Sequence, residues 1–94
     1  MSTPEVDLVD RLEAAVLAVE GVVGLHAGVL GEVATYLPGR RVGGLRLRGD
    51  DCEVHVVLSF GSPVVETADR VRDAVRVLVT GRVDVTVEDV APPT

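Results

Sequence analysis

From Glu53 to Val87 the chain changes period twice. Glu53-Val-His-Val-Val-Leu-Ser-Phe60 alternates like a strand, and Gly61-Ser62-Pro63 breaks the pattern. Val64 to Val79 has helical period, Gly81 stops it, and Val83-Asp-Val-Thr-Val87 alternates again. Strand, helix and strand with short links predict a βαβ unit. Ser62 reads as the N-cap of this helix, with Pro63 at its first position. Val64, Ala68, Val71, Val75 and Leu78 form its apolar stripe. Glu66–Arg70, Asp69–Arg72 and Asp73–Arg76 are spaced for ion pairs on its wet side.

Upstream, Leu8, Leu12, Ala15, Val16 and Val19 share one helical face, opposite Asp7, Asp10 and Arg11. Thr3 before Pro4 reads as a cap, Glu5 and Asp7 suit the first turn, and Gly21 is a stop. A first helix is therefore expected over about 4–19. From Gly21 to Gly44 glycine recurs and neither period dominates. Val23, Leu25, Ala27 and Val29 alternate as a strand would. Val33, Thr35 and Tyr36 favour a second strand over Glu32 to Leu37. Pro38-Gly39 marks a turn, with Arg40-Arg41 exposed beside it.

Leu45-Arg-Leu-Arg48 and Glu53-Val-His-Val56 flank Gly49 to Cys52 as a hairpin. A two-residue loop pairs Arg46 with Glu53; a four-residue loop pairs Arg48 with Glu53. The two registers differ by two residues, so each side chain keeps its face. Leu45, Leu47, Val54, Val56, Leu58 and Phe60 are expected in the core, and Val83, Val85 and Val87 after them. Arg46, Arg48, Glu53, His55, Val57 and Ser59 are expected on the other face.

These elements predict an α+β two-layer sandwich with two helices on one face of a small mixed sheet, in the order α-β(β)-β-β-α-β. One domain covers residues 1–94: helix one over 3–20, strands and hairpin over 22–60, helix two over 62–80, a last strand over 82–90 and a tail over 91–94. The other sheet face stays open, and with any edge left by the strands between Gly21 and Gly44 it is where self-association or a protein partner is expected.

Composition narrows the function. The 94 residues carry a net charge of −6, which repels phosphate backbones and argues against nucleic-acid binding. The acidic start does not read as a signal peptide, and the longest apolar run, Ala14–Val19, is too short to span a bilayer, so a cytoplasmic chain without direct membrane insertion is expected. With one Tyr, one Phe and no Trp, the core must be Val, Leu and Ala.

Candidate chemistry is sparse. His26 and His55 with Glu53 are metal-capable side chains without metal-site spacing, and read better as strand histidines. Cys52 beside His55 suggests a nucleophile pair, but three residues along a strand set them on opposite faces. Cys52, the one cysteine, excludes an internal disulfide. Asp50-Asp51 reads as a solvated turn and Arg40-Arg41 as a solvated loop. Ser59 and Ser62 read as an outer-face residue and a cap. The glycine-rich segment lacks the lysine and the strand-then-helix context of a phosphate loop. No residue is assigned a catalytic, cofactor-binding or metal-ligating role, and no cofactor is expected.

Several segments resemble one family. Val19-Glu-Gly-Val22 is similar to the "v-x-G-V" that closes the first helix of the alkaline shock protein family, small general-stress and envelope-stress proteins of Gram-positive bacteria. Val54-His-Val-Val-Leu-Ser-Phe60-Gly61 resembles its "v-x-v-x-v-x-y-G". Val64 to Val75, with Arg70-Val-Arg72, resembles its "v-a-x-x-v-r-x-x-V" helix. Val83-Asp-Val-Thr-Val-Glu-Asp-Val90 resembles its closing "v-x-V-x-V-x-D-V". The resemblance spans about Leu8 to Val90 and departs over His26 to Gly44, as a short variant would. It implies a non-enzymatic cytoplasmic stress protein, held near the membrane by a membrane-anchored partner or assembled with copies of itself. The alternative class, by fold analogy with iron–sulfur scaffold domains, is a small metal or cofactor assembly carrier.

Overall fold

The structure, a computed structural model, describes residues 4–93; Thr3, the expected cap, and Thr94 of the tail lie outside them. Helix α1 spans Pro4–Leu17 and α2 spans Val64–Arg76. The strands are β1 (Val22–Leu25), β2 (Ala34–Leu37), β3 (Arg40–Gly43), β4 (Leu45–Arg48), β5 (Asp51–Leu58) and β6 (Val83–Val90).

β5 is the hub, because it alternates without interruption. Cys52, Val54, Val56 and Leu58 are buried, while Glu53, His55 and Val57 face the other way, half-buried. β6 runs parallel along one side of β5. On the other side β1 and β4 lie end to end, both antiparallel, with Val22 opposite Leu58 and Leu45 opposite Val54. They meet at one residue: the His55 N–H donates to the Gly44 carbonyl, and the His55 carbonyl accepts from the His26 N–H. The hairpin takes the two-residue loop, so Arg46 faces Glu53.

β2 and β3 form a separate two-stranded sheet around Pro38-Gly39. The expectation of Arg40-Arg41 in a loop is thereby corrected: they begin β3, which alternates from exposed Arg41 to buried Val42 and pairs antiparallel with β2. The strand expected from Val23 to Val29 ends at Leu25. Beyond His26 the Ala27 carbonyl accepts from the Val33 N–H instead, which closes a loop.

Both helices lie on one face of the four-stranded sheet. Val9, Leu12 and Val16 from α1 and Val71 and Val75 from α2 join one cluster with Leu45, Val54, Val56 and Leu58. Leu37 and Val42 of the small hairpin extend that cluster. The α1 stripe is rotated from expectation to centre on Val9, Leu12 and Val16, a spacing of three and four that matches the helical pitch. After Leu17 the chain tightens into a bond from Val19 N–H to the Val16 carbonyl, so the helix stops two residues short of Val19.

Helix α2 departs from expectation in three places. Its N-cap is Pro63, in extended conformation, with no side-chain cap; Ser62 Oγ is instead 2.7 Å from Ser59 Oγ. Thr67, not Val64, opens the buried stripe. Its hydroxyl donates to the Pro63 carbonyl at 2.6 Å, which makes a polar residue acceptable inside. Among the described residues Asp69–Arg72 is the one expected helix ion pair that forms, at 2.8 Å. Phe60, expected inside, is 67 % exposed, because β5 ends at Leu58 and a Ser59–Ser62 turn carries Phe60 outward.

Candidate interaction surface

The open face of the sheet is built from the outward residues of β4, β5 and β6. Register sets Arg46 against Glu53, and one step along β5 brings His55 beside Glu53 on the same face. Arg46 donates to Glu53 Oε1 at 3.2 Å. Glu53 Oε2 lies 2.9 Å from His55 Nε2, and His55 Nδ1 lies 2.6 Å from Glu88 Oε1 on β6. Arg46 also reaches the Glu32 carbonyl at 3.1 Å, while its buried Nε has no partner. The result is a chain of polar side chains across three strands, with the imidazole flanked by two carboxylates. With carboxylates at both ring nitrogens, only the doubly protonated imidazole donates in both directions.

Burial alone would raise the Glu53 carboxyl. The hydrogen bond from His55 and the charge of Arg46 outweigh it and hold the group below its ordinary 4.5. Cys52 sits one residue away but on the core side, 2 % exposed. Burial pushes its thiol up to about 11, and the Glu53 carboxylate adds to the effect. A thiol held protonated in this way is a poor nucleophile.

The two histidines part company. His55 joins the charge chain, whereas His26 turns its Nδ1 to its own loop and accepts from the Gly28 N–H at 2.9 Å. Among the described residues no group of three or more His, Cys, Asp or Glu converges to hold a metal. Asp51 caps the end of the sheet through a bond from the Arg82 N–H at 2.8 Å. Arg40 pairs with Asp10 of α1, and Arg41 donates to the Gly31 carbonyl at 2.9 Å.

The loop between β1 and β2 makes the most exposed apolar feature. Val29 and Leu30 are each 89 % exposed at its tip. Yet the tip is tied down by several bonds. The Gly31 N–H donates to the Gly28 carbonyl, the Leu30 N–H to Glu32 Oε2, and the Val33 N–H to the Ala27 carbonyl. A shallow cleft of about 430 Å³, lined by Val23, Ser59, Phe60, Ala91, Pro92 and Pro93, lies at the far end of β5.

Sequence reasoning missed the pairing of Glu88 with His55 and the exposed Val29–Leu30 tip. Glu88 shares the alternation of Asp84 and Thr86, but its pairing with His55 depends on a register shift beside Val57 that leaves one extra residue in β6. No helix among the described residues is long and apolar enough to cross a membrane. Compared with family models, curated proteins and solved structures, the chain matches none of them.

Proposed function

We propose that the chain is a non-enzymatic interaction module of the stress response, the role implied by its resemblance to the alkaline shock protein family. It works in the cytoplasm and is brought to the cell envelope by a membrane-anchored partner. The observation that carries the reading is the Gly28–Gly31 turn. A turn held by backbone and side-chain bonds that still displays a valine and a leucine to solvent has little entropy left to lose on docking, which favours recognition. The charged face supports the same reading, since its Arg46, Glu53 and His55 side chains are spent on one another.

The test is a pull-down from native cells with membranes retained, using the wild-type chain and the Val29→Ser/Leu30→Ser variant. The wild type is expected to enrich a membrane-anchored protein, and the variant to lose it by about tenfold, roughly 1.4 kcal/mol of lost contact. Equal capture by both chains removes the turn from the interface. Failure of the wild type to retain any partner removes the function.

A further inference from the structure

We propose that the free edge of β6 pairs with the same edge of a second copy, antiparallel and centred on Val85. β6 is the outer strand of its sheet, bonded to β5 on one side. In a parallel ladder a residue bonds to the two neighbours of its partner. Cys52 lies opposite Val83 and donates to the Arg82 carbonyl at 2.8 Å. Arg82, Asp84 and Thr86 therefore supply the groups that face β5. Val83, Val85 and Val87 turn their N–H and C=O groups outward, a row open to another strand. The extra residue near Glu88 ends this regular row, and Pro92 and Pro93 lie beyond it.

Charge narrows which copy of which residue meets which. Each chain carries −6, so an edge contact must avoid adding like-charge pairs. Pairing centred on Asp84 sets that carboxylate against itself. Pairing centred on Thr86 sets Asp84 against Glu88. Pairing centred on Val85 sets Asp84 against Thr86 and Arg82 against Glu88 of the second copy, twice by symmetry. Arg82 can reach this contact, since its side chain is 75 % exposed and, among the described residues, pairs with the likewise exposed Asp84. Glu88 faces the same way, with one oxygen on His55. In this register the valines form the hydrogen-bonded pairs, and the outward residues form the close, non-bonded pairs. The contact uses a different part of the molecule from the Val29–Leu30 turn and stands whether or not the proposed function does.

Sedimentation and cross-linking test it. At roughly 100 µM, a fair concentration for a contact smaller than a standard interface, the wild type is expected at about twice its 9.9 kDa mass. Non-bonded partners bring Cα atoms within disulfide reach. Chains carrying Asp84→Cys, mixed with chains carrying Thr86→Cys and oxidised, are expected to form mixed disulfide dimers about tenfold faster than either variant alone. Both positions are exposed, so neither change threatens the fold. A monomer throughout, or Thr86→Cys alone cross-linking as well as the mixture, overturns the proposal.

Discussion

His55 Nδ1 lies 2.6 Å from Glu88 Oε1, which ties the centre of β5 to the end of β6 across a parallel ladder. With Glu53 on the opposite ring nitrogen and Arg46 beyond it, one imidazole links three strands of the open face. The carboxylate most affected is Glu53, whose titration is lowered in the folded chain. Its contribution to stability is full above the unfolded value of 4.5 and is lost as pH falls through the lower folded value. Urea melts across the acid range should show stability falling below about pH 4.5. Glu53→Gln should remove part of that slope while leaving the neutral-pH fold intact by circular dichroism.

Cys52 titrates the other way. Its thiol, raised to about 11, stays protonated where an unfolded thiol near 9.0 ionises. Stability is therefore full below pH 9 and declines as pH rises toward the folded value. At pH 8 a disulfide reagent should label native Cys52 far more slowly than the urea-unfolded chain. Comparable rates would mean the thiol is not covered.

Leu12 is wholly buried between the helices and the sheet. Leu12→Ala should cost about 2–5 kcal/mol, which lowers the melting temperature by roughly 8–40 °C in a domain this small. Leu30→Ala, at a tip open to solvent, should change stability by less than about 0.5 kcal/mol. The contrast, read by thermal denaturation, separates packing from display.

Gly44 joins β3 to β4 at φ +87°, and a Cβ there would fall 2.7 Å from Leu25 Cβ and 2.8 Å from the His26 nitrogen. Gly44→Ala should therefore destabilise by more than the ordinary ~1 kcal/mol of a glycine replacement. The same change at Gly39, whose added Cβ meets nothing, should be milder.

How much of this could be read beforehand differs by element. β5 and β6 were legible because their alternation is strict, and the βαβ unit followed from the two breaks around α2. The open face was legible for the same reason: a period of two fixes the face whatever the partner. The Arg46–Glu53 pair was one of two registers, since Gly49 to Cys52 fits a short or a longer loop. Glu88 beside His55 was hidden, because a parallel register depends on how far α2 and its link to β6 carry the chain before it returns. The β1–β2 region was hidden because its order comes from bonds to side chains, such as His26 to Gly28 and Glu32 to Leu30, which leave no periodic trace.

His55 accepts from one segment and donates to the other through its main chain, so the polypeptide leaves the sheet after His26 and re-enters it at Gly44 at a single address. Everything between behaves as a detour. Splicing the two ends with a tight connector would merge β1 and β4 into one long strand running the length of β5. It would give up the display turn and the small hairpin, and with the hairpin the cover that Leu37 and Val42 give the core.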